Sequence, residues 1–175
     1  TPDDAKGLKF RIQPSDVLQA QFEALGANPQ KRAFSEVYGA LQTGVVDGQE
    51  NPLSNIVANK MYEVQKYVSL TNHVYSAYIA VMNEGKFASL PADIQADLRA
   101  AFADALTYQI GLITSEEASY LKTIEAAGVK VNTLSDEQMA VFQKSAAEIR
   151  DQLAETVGPD AYKALTDAVA KAEAN

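Results

Sequence analysis

The sequence contains no cysteine, no tryptophan and only one histidine, His73. Without cysteine the chain can form no disulfide and carry out no thiol chemistry, and a zinc site would have to rely mainly on carboxylates. No stretch approaches the roughly 20 apolar residues that span a bilayer. The sequence therefore predicts no metal site and no membrane-spanning segment.

Basic residues are also scarce. Lys and Arg total 15 against 23 Asp and Glu, for a net charge of −8, and Lys31-Arg32 is the only adjacent basic pair. Nucleic-acid phosphates need clustered Lys and Arg, so nucleic acid is excluded as a partner. Most of the acidity lies in residues 91–175, which favours the first half for an anion. Residues 1–6 show neither the basic nor the apolar region of a signal peptide.

The first half alternates strands with helices. Apolar and polar residues alternate over residues 8–13, which is the period of a half-buried strand. Residues 15–25 then predict a helix ended by Gly26, and residues 35–43 a second one, with Ser35 as N-cap and Gly44 as its stop. Residues 45–52 predict a short strand and a turn, and Leu53 to Lys60 another helix. Such alternation indicates an α/β fold.

The second half is mostly helical. Residues 67–82 are rich in β-branched and aromatic side chains and predict one or two strands. Residues 91–127 contain one glycine and, after Pro91, no further proline, which predicts one helix of about 55 Å, with Pro91 at its first position and Gly128 as its stop. Apolar residues spaced four and three apart predict a continuous buried stripe along it: Ile94, Leu98, Ala101, Ala105, Tyr108 and Leu112.

The last 48 residues predict a short strand over Val129 to Leu134 and then helices. Ser135 and Gln138 fit a capping box, and Gly158-Pro159 should break the helical region. We divide the chain at sequence level into residues 1–75, 76–127 and 128–175. These are a ligand-binding lobe, a connecting strand with a long spanning helix, and a short strand with C-terminal helices.

Three motifs, in this order and spacing, resemble one protein family. They are Gly7 to Gln13 (GLKFRIQ), Glu36 to Pro52 (EVYGALQTGVVDGQENP) and Tyr67 to His73 (YVSLTNH). The chain resembles the substrate-binding proteins of TRAP transporters (tripartite ATP-independent periplasmic transporters), in particular the four-carbon-dicarboxylate type. The resemblance implies a C-terminal portion of the family's periplasmic-binding-protein-like (type II-like) α/β fold, with the N-terminal lobe missing.

The resemblance also implies a function. The chain would capture a small organic acid, with dicarboxylates favoured, in the periplasm and deliver it to membrane permease subunits, without a cofactor. Two alternatives of the same fold are a ligand-sensing module and an inactive truncated fragment. Because a lone lobe would expose apolar surface, we also expect self-association or association with an N-terminal fragment.

Arg11 is the first candidate binding residue. The alternation of its strand points the side chain away from Phe10 and Ile12, into either water or a cleft, and the pattern does not decide between them. A guanidinium can hold a carboxylate through two parallel hydrogen bonds, which lysine cannot do. The resemblance places the family's carboxylate-binding arginine at Arg11.

The resemblance implies four further ligand-binding residues: Asn51, Phe34, His73 and Tyr78. Taken alone, Asn51 is also typical of a turn before proline, Phe34 of a core aromatic, and His73 of a structural histidine. Asp47 and Glu50 are the candidates for an acid/base pair. No nucleophile set supports them, so we expect no enzyme activity and assign Glu50 to a backbone or lobe contact.

Overall fold

A computed structural model describes residues 1–150 and 154–173 of the 175-residue chain. The chain folds into two compact units, which are described separately below. Unit 1 comprises Thr1–Glu50, Ser69–His73 and Asn132–Asn175, and unit 2 comprises Asn51–Val68 and Val74–Val131. The division into residues 1–75, 76–127 and 128–175 stays a prediction. Within the described ranges, no helix combines the length and hydrophobicity that a membrane span requires.

Unit 1 is built on a small parallel sheet in the order β2-β1-β3. The strands are β1 (Lys9–Ile12), β2 (Asn28–Lys31) and β3 (Gly48–Gln49), and helix α1 (Asp16–Ala24) connects the first two. Arg11 pairs with Gln30 on one side and Gln49 on the other. All three strands therefore end at one edge of the sheet, which is where ligand-binding side chains collect in parallel α/β folds.

The alternation of strands and helices predicted for the first half is confirmed for β1, α1 and β3, whereas β2 is a strand that the sequence did not predict. The Ser15 side chain accepts a hydrogen bond from the Leu18 amide and caps α1, and Gly26 ends it with a φ of +75°. Helix α2 spans Val37–Gln42 and is followed by Gly44 with a φ of +70°. Ser35 is not its N-cap, because a 3-10 turn over Phe34–Glu36 precedes α2 and makes Glu36 the N-cap.

The core of unit 1 lies between the sheet and α1. Its buried cluster consists of Ile12, Leu18, Phe22 and Ala27, with Ala5 and Phe10 packed against it. The rings of Phe10 and Phe22 lie 5.1 Å apart between centroids. On the opposite face of β1, Arg11 is only 2% exposed, whereas Lys9 is exposed. The carboxyl end of β1 is thus buried on both faces, which fixes the position of Arg11.

Gly48 allows β3 to approach β1. A Cβ added there would lie 2.6 Å from the ring of Phe10, whereas one added at Gly39 in α2 would meet nothing within 4 Å. We expect Gly48→Ala to lower the free energy of unfolding by about 1–3 kcal/mol, because the Phe10 ring is held by the core. Gly39→Ala is the matched control and should raise it by about 0.5–1 kcal/mol.

Urea denaturation of the two glycine variants and the parent measures both changes. Equal stability of the Gly48→Ala variant and the parent would show that Phe10 moves aside without cost.

The C-terminal part of unit 1 is helical. Helices α6 (Asp136–Arg150), α7 (Ala154–Val157) and α8 (Pro159–Glu173) follow one another. The Ser135–Gln138 capping box is confirmed, since the Gln138 side chain accepts from the Ser135 amide at 2.9 Å and Ser135 Oγ accepts from the Gln138 amide at 3.3 Å. The break at Gly158-Pro159 is also confirmed, with α8 beginning at Pro159.

Unit 2 contains α3 (Leu53–Ala58), α4 (Glu84–Ala88) and the 35-residue helix α5 (Ala92–Ala126). The single long helix is confirmed. It begins one residue after Pro91, which is its N-cap, and Gly128 follows its end with a φ of +85°. Strands β4 (Tyr67–Leu70) and β5 (Lys130–Thr133) form a two-stranded sheet, and the boundary between the units falls within each strand.

Residues 67–82 contain one strand, β4, in agreement with the one or two predicted, and the extended run ends at Leu70, after which Asn72 turns the chain with a φ of +46°. One expectation for this half is wrong. The apolar stripe of α5 is not buried. All six of its residues are exposed in this chain, and Ile124 is the residue of α5 that is buried. Periodicity shows which face of a helix is apolar and does not show what covers it.

Candidate functional site

Arg11 lies in unit 1 at the carboxyl edge of the parallel sheet. Its guanidinium donates twice to the carbonyl oxygen of Arg32, from Nε at 3.0 Å and from Nη2 at 2.8 Å. Arg32 directly follows β2, so the neighbouring strand provides the oxygen that fixes the arginine. The sequence left open whether the Arg11 side chain lies in water or in a cleft. The structure excludes bulk water, because the side chain is buried.

The contact with Arg32 uses one edge of the guanidinium. One N–H of Nη1 and the second N–H of Nη2 take no part in it and form the other edge. Two parallel donors on one edge match the two oxygens of a carboxylate. Because the first edge is held by backbone, the second needs little ordering before it can bind an anion.

Phe34 lies beside this arginine. The guanidinium carbon of Arg11 is 5.8 Å from the centroid of the Phe34 ring, within the range of a cation–π interaction. The ring is 42% exposed, so Phe34 is not a core aromatic. Of its two interpretations from the sequence, the core aromatic is therefore wrong, and contact with a ligand stays a prediction.

Glu50 also lies at this sheet edge, although the sequence predicted only a backbone or lobe contact for it. It follows β3 at the same sheet edge, its side chain is 13% exposed, and it interacts electrostatically with Arg11. Burial raises the pKa of the Glu50 carboxyl to about 7, although the charge of Arg11 acts in the opposite direction. The position of Glu50 directly after the strand, beside Asn51, is the sequence feature that could have indicated its place at the site.

His73 faces Glu50 within unit 1. Its Nε2 atom lies 3.7 Å from Glu50 Oε2, which is too long for a hydrogen bond, and is buried without a partner among the described residues. The Nδ1 atom is 2.7 Å from the hydroxyl of Thr71. The ring of Phe22 meets the imidazole edge-on at 5.8 Å. Burial lowers the pKa of His73, which favours the neutral imidazole.

Asn51 and Tyr78 belong to unit 2 and meet at a residue that the sequence did not single out. The Asn55 side-chain amide donates to Asn51 Oδ1 at 3.3 Å and to the Tyr78 hydroxyl at 3.2 Å. Asn51 and Asn55 are four residues apart at the start of α3, a spacing that could have indicated the pair. Tyr78 is 79% exposed.

The structure thus brings the five predicted residues together in two groups. Arg11, Phe34 and His73 surround the sheet edge of unit 1 with Glu50, and Asn51 and Tyr78 share Asn55 in unit 2. Asp47 has a structural role that Glu50 does not share. Its Oδ2 atom accepts a hydrogen bond from the Lys9 amide at 2.8 Å and so links the start of β3 to β1. Within the described ranges, no cluster of three His, Asp or Glu side chains could hold a metal ion.

Glu50 should make the stability of the chain fall with rising pH. Because the pKa of this carboxyl is about 7 in the folded state and near 4.5 when unfolded, the folded state binds more protons between these values. Between pH 5 and pH 8 we expect the parent to lose about 2–3 kcal/mol more unfolding free energy than Glu50→Gln. The lowered pKa of His73 acts in the opposite direction in both proteins.

Urea denaturation at the two pH values measures this difference, and Glu117→Gln on the exposed surface of α5 is the control carboxylate. The parent and the control should share one pH dependence. If the Glu50→Gln variant shared it as well, burial of Glu50 would have no energetic effect.

The chain thus has an α/β arrangement with a buried, backbone-fixed arginine at the carboxyl edge of a parallel sheet, the edge at which α/β proteins place their ligands. The comparison with known families makes this specific. The model of the bacterial extracellular solute-binding protein family 7 (DctP) matches residues 1–156. The chain belongs to this family.

Similar proteins agree with the assignment. The C4-dicarboxylate-binding periplasmic protein DctP of Rhodobacter capsulatus is 43% identical over 171 residues, covering 97% of this chain and 51% of the relative. A TRAP periplasmic solute-binding protein from Sulfurospirillum deleyianum, solved with bound succinate, is 42% identical with a TM-score of 0.87, over 94% of this chain and 55% of that one.

A third similar protein binds a different acid. The sugar acid binding protein DctPAm from Advenella mimigardefordensis, solved with galactonate, is 34% identical with a TM-score of 0.93, over 98% of this chain and 55% of that one. The fold is therefore that of the TRAP periplasmic solute-binding proteins, as the sequence predicted. The chain spans about half the length of the relatives it matches.

Proposed function

We propose that this chain is part of a periplasmic solute-binding component of a TRAP transporter, which captures a small organic acid and delivers it to membrane permease subunits. The observation that carries the proposal is the guanidinium of Arg11, buried and held on one edge by the Arg32 carbonyl. That geometry supports the proposal, because the free edge of the guanidinium would hold a carboxylate in one direction. The reaction class is recognition, with no covalent step.

Dicarboxylates are the favoured ligands. Relatives with this fold were solved with succinate, and one from Pseudomonas aeruginosa, 32% identical, was solved with L-malate. A carboxylate is common to these acids and to galactonate, so Arg11 would bind the part that they share. The remaining part of the ligand would be recognised by other residues, among which we place Asn51, Tyr78 and His73.

Calorimetric titration tests this function directly. The 175-residue chain and the product of the whole gene are each titrated with succinate, L-malate and galactonate, with a matched amine such as 1,4-diaminobutane as a negative control. We expect saturable binding of at least one acid and none of the amine. The absence of binding to every acid by the whole gene product would contradict the proposal.

A ligand-sensing module with the same fold is the second candidate. Capture geometry is the same in both cases, and the partner differs. Permease subunits that co-purify with the protein favour transport, and a receptor kinase favours sensing. An enzyme would need a reacting group, and incubation with the bound acid should leave its mass unchanged.

We also propose that the 175-residue chain associates through unit 2. Exposed apolar side chains of α5 form one group, and those of the segment after β4 form another, with Tyr75, Ile79 and Val81 each more than 80% exposed. Soluble monomers rarely leave so many large apolar side chains in water. The partner would be a second copy of the chain or an N-terminal fragment of the same protein.

A further inference from the structure

Glu50 lies in a position that a simple anion site would avoid. It places a carboxylate at the sheet edge where the proposed ligand would bring another, and both interact with the single guanidinium of Arg11. Two carboxylates that share one buried cation repel each other in a region of low dielectric constant. Either one of them is displaced, or one of them takes up a proton.

We propose that Glu50 takes up a proton from solvent when an organic acid binds at Arg11, so that ligand capture and protonation are coupled. The inference rests on the proposed function of Arg11. The proton would add to Glu50 Oε2, converting the carboxylate to a neutral carboxylic acid. The ligand carboxylate would then be the only anion paired with the guanidinium.

His73 provides the acceptor for this proton. In the tautomer that donates from Nδ1 to the Thr71 hydroxyl, Nε2 carries a lone pair and faces Glu50 Oε2 at 3.7 Å. That lone pair is buried and has no partner among the described residues. A protonated Glu50 would satisfy it through an O–H···N hydrogen bond after a small approach, which an ionised carboxylate cannot do.

The charged groups around Glu50 are few. Arg11 faces Glu50 from β1, and His73 faces it from the segment after β4. Glu36, in the 3-10 turn before α2, interacts electrostatically with Arg11. Burial already brings the pKa of Glu50 to about 7, so a further negative charge nearby can shift its protonation within a range that buffers reach easily. Glu36 is exposed, which makes it the matched control.

Calorimetry in buffers of different ionisation enthalpy measures the coupling. Succinate is titrated at pH 8, at which it is fully ionised, once in phosphate buffer and once in Tris buffer. The difference between the two apparent enthalpies of binding gives the number of protons taken up. We expect uptake of more than about half a proton per succinate for the parent and for Glu36→Gln, and none for Glu50→Gln. Between pH 7 and pH 9 the affinity of the parent should fall several-fold, and that of Glu50→Gln should stay constant.

The outcomes separate this inference from the function on which it depends. Succinate binding without proton uptake by the parent would overturn the inference and leave the proposed function intact. Uptake that persists in Glu50→Gln would also overturn it, since another group would then carry the proton. If no organic acid bound to the parent, the proposed function would fail and the coupling with it.

Discussion

Replacing Arg11 with lysine should weaken the binding of succinate by about 1.5–3 kcal/mol, or roughly 10- to 150-fold. Lysine keeps the positive charge and loses the planar pair of donors. It also loses the second donor to the Arg32 carbonyl, so the ammonium is no longer fixed by backbone. Calorimetric titration of parent and variant measures the loss.

Lys31→Gln is the matched control for this experiment. Lys31 directly precedes Arg32, but its Nζ atom pairs with Asp16 at the surface, 2.6 Å away. Removing that charge should change the affinity little, because exposed ion pairs contribute less than about 1 kcal/mol. An Arg11→Lys protein that binds succinate as tightly as the parent would remove Arg11 from the site.

The 175-residue chain should not behave as a monomer at micromolar concentration. Burying even about 800 Å² of apolar surface in total, counted over both partners, gives a favourable transfer term of about 20 kcal/mol, from which the cost of association is subtracted. Unit 2 offers exposed side chains on α5 for this purpose, with Leu98, Phe102 and Leu106 between 42% and 52% exposed. Light scattering coupled to size-exclusion chromatography measures the mass.

Replacing Leu98, Phe102 and Leu106 by glutamine in one triple variant should shift the chain to a monomer. Their half-exposed side chains provide apolar surface for the association, and the substitution removes it. Substituting glutamine for Thr107, Ser115 and Glu117 on the same helix is the control and should leave the mass unchanged. A parent chain that elutes and scatters as a monomer at high concentration would contradict the association.

Local patterns predicted much of the backbone. Alternation identified β1, glycines ended α1, α2 and α5, and a capping box placed the start of α6. These signals act between residues close in sequence, so one sequence is enough to read them. The patterns failed where the outcome depends on distant parts of the chain, as with the stripe of α5, whose exposure depends on what packs against it.

The site shows the same division. Its cationic residue could be named in advance, because an arginine on a strand within a family motif has a distinct chemistry. Glu50 could not be assigned its environment, because burial results from three strands and the segment carrying His73 coming together. Asn55 was missed because its contact with Tyr78 joins segments 23 residues apart.

The most direct test of organic-acid capture at Arg11 is a crystal structure of the whole gene product grown with succinate. We predict that one succinate carboxylate lies on the guanidinium edge formed by Nη1 and Nη2, with both oxygens within about 3 Å, while the Arg32 carbonyl keeps its two hydrogen bonds. Succinate bound elsewhere, with Arg11 making no contact to it, would contradict the central claim.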